Sequence, residues 1–126
     1  MTNIIDHVGI SVTDFDKSRA FYVAALGTLG IKVIGDFSDG DSKYLGFGKQ
    51  RPTFWVGTGK MVRGEAHIAF IAGSRSEVES FYTAALANGG RDHGKPGLRP
   101  HYHADYYAAY VLDPDGHNVE AVYHGD

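Results

Sequence analysis

The feature that most constrains this chain is a repeat within itself. Residues 7–30 (HVGISVTDFDKSRAFYVAALGTLG) return sixty positions later as residues 67–90 (HIAFIAGSRSEVESFYTAALANGG). The pairs His7/His67, Phe21/Phe81, Tyr22/Tyr82, Ala24/Ala84, Ala25/Ala85, Leu26/Leu86 and Gly30/Gly90 are identical. Both copies pass from a period of two to a period near 3.6 at the same place. Val8, Ile10 and Val12 alternate with His7, Gly9 and Ser11, the pattern of a half-buried strand. Phe21, Ala24, Ala25 and Leu26 then take helical spacing, with Thr13 or Asp14 as the cap and the Gly27–Gly30 region as the stop. The second copy predicts a strand over 67–72, a helix capped by Ser74 and running to about Leu86, and a stop at Asn88-Gly89-Gly90.

Three short strand-like segments follow each helix, roughly 31–37, 43–48 and 52–57 in the first copy and 91–96, 105–112 and 117–124 in the second. Asp113-Pro114-Asp115-Gly116 supplies the turn before the last strand. The chain therefore reads as a single α+β domain of two βαβββ modules, about 1–57 and 67–126, joined by a linker over about 58–66. A period of about sixty residues is too long for the common solenoids, and two β-rich copies suit one pseudo-symmetric sheet assembly.

Composition narrows the function. With 126 residues, 43% hydrophobic and 21% charged, the chain can bury its own core. It has no cysteine, which excludes disulfides, thiolate metal sites and cysteine nucleophiles. A net charge of −3 gives no reason to expect nucleic acid. No apolar run approaches the ~20 residues of a membrane helix. Residues 1–12 lack the basic and apolar regions of a secretory segment, so the expected location is the cytoplasm.

His7 and His67 open the first strand of each module, on the face opposite the aliphatic alternation. Glu120 lies in the last strand among Val119, Ala121 and Val122, where a carboxylate is costly to bury without a partner. Two imidazoles and one carboxylate with open positions suit a divalent ion: Zn, Ni, Mn or non-haem Fe(II). A solvated glutamate and two surface histidines are the alternative.

Asp6-His7-Val8-Gly9-Ile10-Ser11-Val12, followed by Ser18-Arg19-Ala20-Phe21-Tyr22, resembles the opening of the vicinal-oxygen-chelate unit. Asp113-Pro114-Asp115-Gly116-His117-Asn118-Val119-Glu120 resembles its closing motif. The chain is on these grounds identified as a member of that superfamily, which includes glyoxalases, bleomycin-resistance proteins and extradiol dioxygenases. The resemblance implies paired βαβββ modules in a curved, barrel-like mixed sheet, with His7, His67 and Glu120 as metal ligands. A fourth ligand of glyoxalase I-like members comes from the last strand of the first module. Here that strand, Pro52-Thr53-Phe54-Trp55-Val56-Gly57, offers none, and the matching position is expected at Thr53 or Phe54. Two His and one Glu form the set of the extradiol dioxygenases, and His103 with Tyr110 resembles the pocket-lining pair of their motif.

Segment 91–107 gathers His93, Lys95, Arg99, His101, His103 and three tyrosines. His103 and Tyr110 are the candidate acid–base groups. Arg99 can grip a substrate carboxylate, and His101, Phe54 and Trp55 are candidate pocket residues; His117 and His124 read as surface residues. The leading expectation is a metal-dependent lyase or ring-cleaving dioxygenase acting on a small vicinally oxygenated substrate, assembled as a homodimer with pairing within or across chains. The competing expectation is a metal-free drug-binding protein of the bleomycin-resistance type.

Overall fold

The computed structural model describes residues 5–59, 62–63 and 65–125. Residues 1–4 of the first module and 60, 61 and 64 of the expected linker lie outside them. The first unit comprises β1 (Val8–Ser11), α1 (Phe15–Gly27), β2 (Lys32–Asp39), β3 (Ser42–Gly48) and β4 (Phe54–Gly57). The second comprises β6 (His67–Ile71), α2 (Arg75–Ala87), β7 (Arg91–Leu98), β8 (Tyr107–Leu112) and β9 (Asn118–Tyr123). Between them the linker holds a strand the sequence pattern did not reveal, β5 (Val62–Arg63), which pairs parallel with β1 at Ile10 and Ser11.

Both helices start where a side chain satisfies a first-turn amide. Asp14 accepts from the Lys17 N–H at 3.1 Å, and Ser74 accepts from that of Glu77 at 3.1 Å. Glu77 reaches back to the Gly73 N–H at 2.8 Å, so α2 carries the reciprocal contacts of a capping box displaced by one residue. Helix α1 buries Ser18, Phe21, Tyr22, Ala25 and Leu26, one stripe at i, i+3, i+4, i+7 and i+8. Removing the fully buried Phe21 ring would cost about 3–5 kcal/mol.

Sheet order is β2-β3-β4-β1-β5 in one sheet and β6-β9-β8-β7 in the other. In each, the first strand of the unit runs parallel to the last and the unit's other pairings are antiparallel; the linker strand β5 adds a second parallel pairing to the first sheet. Strand alternation sends one face of each sheet inward. Ile10, Leu45, Phe47, Phe54 and Val56 meet Phe81, Ala109, Val111, Val119 and Ala121 in one core around the two helices. Phe54 touches Phe70 across the unit boundary with ring centroids 5.1 Å apart. The opposite faces carry His7, Gly9 and Trp55 on one sheet, and His67, Asn118, Glu120 and Tyr110 on the other.

Polar contacts bolt the units together. The buried Asp113 carboxylate accepts from the Tyr22 hydroxyl at 2.6 Å and from the Asp115 and His117 amides at 2.8 Å each. Burial first, then this carboxylate, holds the Tyr22 hydroxyl pKa well above its usual range. Asp115 accepts from Thr13 Oγ1 at 2.7 Å. His117, expected at the surface, is 0% exposed. Its Nδ1 accepts from the Ala66 N–H at 3.2 Å and its Nε2–H donates to the Ser11 carbonyl at 3.1 Å, so it is a structural cross-tie between units.

Candidate metal-binding half-site

The parallel ladder β6–β9 sets His67 opposite Asn118 and Ala69 opposite Glu120, while β8 sets Tyr110 opposite Glu120. All five side chains stand on the outward face. His67 Nε2 lies 2.9 Å from Glu120 Oε1. The other carboxylate oxygen, Oε2, accepts a hydrogen bond from the Tyr106 hydroxyl. Glu120 is thus only 2% exposed although it stands on an outward face, whereas the His67 side chain remains 50% exposed.

The two tyrosines carry the electrostatic imprint of this carboxylate. Burial first and then Glu120 push the Tyr106 hydroxyl upward in pKa. Tyr110 shifts the same way for the same two reasons. Both are neutral donors at physiological pH, and their hydroxyls also interact with each other. The Tyr110 ring stands edge-on to His67, centroids 6.2 Å apart, and the Arg99 guanidinium lies 5.3 Å over its centre. Arg99 also donates to the Lys95 carbonyl at 2.7 Å.

His103 stands one layer out. Its Nδ1 accepts from the Asp105 N–H at 3.2 Å, so its Nε2–H donates to His124 Nδ1 at 2.9 Å. Both imidazoles pack on the Tyr106 ring, at 5.5 Å and 5.3 Å between centroids. His101 packs on Tyr102 at 4.3 Å.

His7 belongs to the other sheet. Its Nδ1–H donates to Asp6 Oδ2 at 2.7 Å, and Asp6 also pairs with Arg51. The His7 hydrogen bond first, and Arg51 second, lower the Asp6 carboxyl pKa. Nδ1 being engaged, Nε2 is the nitrogen left to ligate, with the carboxylate behind the ring that metal-binding histidines commonly have. No cluster of three or more His, Cys, Asp or Glu suited to a metal forms within one chain among the described residues. One chain therefore joins two of the three expected ligands, His67 and Glu120.

Two sequence expectations are corrected. Phe54, a candidate pocket residue, is 2% exposed in the core, because β4 turns it inward. The first-unit match to Glu120 is neither Thr53 nor Phe54. Ala69 faces Glu120 in one ladder and Gly9 faces Trp55 in the other, so Trp55 holds that position. Its ring lies over Gly46 and Gly35 and stacks on Phe37, centroids 5.8 Å apart with planes 24° apart. A Cβ at Gly46 would come within 2.8 Å of Trp55 Cη2.

Tyr106 and Asn118 escaped the sequence reading. Tyr106 was one of several tyrosines in a loop, and only the loop's path brings it to Glu120: Arg99 N–H to Tyr106 O at 2.7 Å and Tyr106 N–H to His103 O at 3.2 Å. Asn118 had a legible signal, two positions before Glu120 and so on its face of the strand.

The residues fit a divalent cation. An imidazole and a carboxylate are donors that such an ion takes, and His67 Nε2 faces Glu120 Oε1 at 2.9 Å, the distance of a hydrogen bond between them. Among the described residues the buried Asn118 Oδ1 has no hydrogen-bond partner, beside the prospective ligand His67.

The sequence model of the Glyoxalase/Bleomycin resistance protein/Dioxygenase superfamily matches residues 4–121. The chain belongs to this superfamily. A glyoxalase/bleomycin resistance protein from Albidiferax ferrireducens T118 is 29% identical, covering 96% of this chain and 99% of that one with a TM-score of 0.75. A glyoxalase-related enzyme from Fulvimarina pelagi shares the fold at 20% identity, with 98% and 88% covered and a TM-score of 0.68. A glyoxalase I variant from Zea mays shares it at 21% identity and a TM-score of 0.69, the alignment covering 97% of this chain and 45% of that one. Among curated proteins no relative was found. Among the described residues no helix is long and apolar enough to cross a membrane.

Proposed function

We propose that this member of the glyoxalase superfamily is a metal-dependent enzyme acting on a small vicinally oxygenated substrate, with its site shared between two copies of the chain. The observation that carries the reading is the His67–Glu120 pair: a carboxylate 2% exposed, its Oε1 facing an imidazole nitrogen at 2.9 Å, on an otherwise open sheet face. His67 and Glu120 of one protomer and His7 of its partner would hold the ion. A bound divalent ion of this kind supplies Lewis acidity toward two neighbouring substrate oxygens.

The protein's own groups divide the remaining work. Tyr106 holds Glu120 Oε2 and leaves Oε1 as the ligand oxygen. Tyr110, a neutral phenol beside His67, can donate to a developing oxyanion, and Arg99 at its ring face can bind a carboxylate. His103, the candidate acid–base group, stands one layer out, bonded to His124 and packed on the Tyr106 ring. Trp55 stands where a second carboxylate ligand would, so no metal-bound glutamate base is available from the first unit. That favours ring-bearing substrates lying against Trp55 and Phe37 over glyoxalase I-type proton transfer.

The edge position of β6 supports the shared site. Among the described residues its outer backbone edge carries no ladder, and Ile71 on it is 76% exposed. A second copy would cover both. The metal-free drug-binding reading keeps one observation in its favour, the Trp55–Phe37 surface.

Complementation separates these readings. His7→Ala and Glu120→Gln should each abolish metal binding and metal-supported turnover of a catechol or hemithioacetal panel. After subunit exchange between the two variants, mixed dimers contain one intact site. Roughly a quarter of wild-type binding should return under random pairing. No recovery, with exchange verified, rules out the shared site; equal metal binding by wild type and both variants rules out the metal.

A further inference from the structure

We infer that Arg99 selects the substrate: its guanidinium is a prebuilt receptor for a carboxylate, so the site takes a vicinal diol whose ring also carries an acid group. The inference rests on the metal reading above and deepens it by naming the substrate class. Gly94 pairs with Tyr110 and Tyr110 with Glu120 across β7, β8 and β9, so the three share the outward face. The half-buried Arg99 folds back over this row. A Cβ on Gly97 would come 3.1 Å from its Nη1, and one on Gly94 would come 3.3 Å from its Nη2. The two glycines thus form a floor that a side chain at either position would crowd. On it the guanidinium lies 5.3 Å over the centre of the Tyr110 ring.

The fork is held in place before any ligand arrives. From Gly94 to Gly97 β7 takes three steps where β8 takes two, from Tyr110 to Ala108, and the Lys95 carbonyl in this bulge accepts from Nη2 at 2.7 Å. The Arg99 N–H donates to the Tyr106 carbonyl at 2.7 Å, and the Arg99 carbonyl accepts from the Tyr102 N–H at 3.0 Å. Side-chain ordering, a usual cost of binding, is therefore largely met in advance. What the guanidinium lacks is an anion. Among the described residues no carboxylate forms an ion pair with it. The acids of this face have other partners: Asp92 Oδ1 accepts from the Tyr82 hydroxyl and the Gly94 N–H at 3.0 Å each, and Glu120 from His67 and Tyr106. A half-buried cation with one of its five N–H donors on Lys95 gains from a carboxylate that meets the fork with two parallel hydrogen bonds. The Tyr110 ring touches both ends of the site, Arg99 at its face and His67 edge-on at 6.2 Å between centroids. A substrate whose own ring parts its acid from its vicinal oxygens matches that separation.

The test titrates zinc-loaded full-length protein by calorimetry with catechol and with 3,4-dihydroxybenzoate, which differ only in the carboxylate. Wild type should bind the acid about tenfold or more tightly than catechol. Arg99→Gln should bind the two alike. Arg99→Lys keeps the cation and loses the paired geometry; it should fall between them, and it stands in where the glutamine variant folds poorly. Lys95→Gln removes a neighbouring exposed charge and leaves the fork, so it should keep the preference. Equal affinities in wild type would overturn the inference, as would a preference that survives both Arg99 substitutions. An equal loss in Lys95→Gln would overturn it too, because overall charge and not the fork would then do the selecting. A metal-free arm separates this from the metal reading: benzoate is added to protein carrying ¹⁵N-labelled arginine. If wild type takes up no zinc but benzoate shifts the Arg99 Nε signal saturably, the metal reading falls and the carboxylate receptor stands. A signal indifferent to benzoate in protein that takes up no zinc removes both.

Discussion

The outward faces of the two units use one lattice filled in opposite ways. Gly9, Trp55, Gly46 and Gly35 succeed one another across the first sheet, where Ala69, Glu120, Tyr110 and Gly94 do so across the second. Each face lays an aromatic ring against the glycine of its outer strand. A Cβ on Gly35 would come 3.0 Å from Trp55 Cη2, and one on Gly94 would come 2.8 Å from Tyr110 Cδ1. The ring, however, comes from the last strand in the first unit and from the strand beside it in the second. That exchange leaves room for a carboxylate on one face only. The repeat thus keeps the shape of a cradle while putting polar donors on one side and an aromatic wall on the other. The turns before the last strands differ too: Asp113–Gly116 ties the units together, and its first-unit counterpart near Arg51 instead holds Asp6 behind His7.

The largest effect should come from that turn. Asp113→Ala strands three donors: the Tyr22 hydroxyl and the amides of Asp115 and His117. At about 1–3 kcal/mol for each buried unsatisfied group, the loss should reach roughly 3 kcal/mol or more in denaturant unfolding. Tyr22→Phe, which leaves one acceptor lone pair to be met, should cost far less. Equal costs would mean that the turn does not bolt the units. Next in size is the response to metal. At a hundredfold excess over Kd, wild type should gain about 2.7 kcal/mol, on the order of 10 °C in Tm for a chain of this size. Glu120→Gln should gain almost nothing. Identical shifts with Zn²⁺, Ni²⁺, Mn²⁺ and anaerobic Fe²⁺ would erase the difference between the two faces.

Much of this was legible in the residues themselves. Val8-Ile10-Val12 and the Phe21–Leu26 stripe state their periods openly, so both units, their caps and most strand limits can be read directly. The β5 strand could not be read, because two residues carry no period; its pairing is decided by the free edge of β1. His117 misled for a different reason. A histidine after an Asp-Pro-Asp-Gly turn looks solvated, and only the arrival of Ser11 and Ala66 from elsewhere in the chain makes it a buried cross-tie. His67 and Glu120 were legible through the repeat and the resemblance of the closing motif, whereas their mutual contact and the place of Trp55 depended on ladder registers and Tyr106 on a loop path. Parity survives in a sequence; register between strands far apart does not.

Gly46→Ala probes the first face at intermediate strength. Its Cβ would sit 2.8 Å from both Pro52 Cβ and Trp55 Cη2, and overpacking of this kind costs about 1–3 kcal/mol. Metal affinity should change little, since His7 precedes β1, which β4 separates from the strand of Gly46. A collapse of metal binding with a normal melt would show instead that the indole's position governs the site.

The smallest expected effect is also the most specific. Trp55 is the single tryptophan of the chain, so its fluorescence reports on one place, the wall formed with Phe37. If that wall receives the ring of a bound substrate or drug, a catechol or a larger aromatic ligand should quench Trp55 saturably. An aliphatic vicinal diol should not. A stacked aromatic pair contributes about 0.5–1.5 kcal/mol beyond its area. Phe37→Ala should therefore weaken the aromatic ligand by roughly two- to tenfold and leave the diol unaffected. Phe37 is 61% exposed, so its removal should leave stability nearly unchanged and make the affinity change interpretable. Running the titration with and without metal then assigns the role of the wall. Quenching that strengthens with metal in wild type, and loses that dependence in Glu120→Gln, joins the two faces in one site. Quenching indifferent to metal in both proteins makes the aromatic face a binding surface on its own, which favours the drug-binding reading over the enzyme.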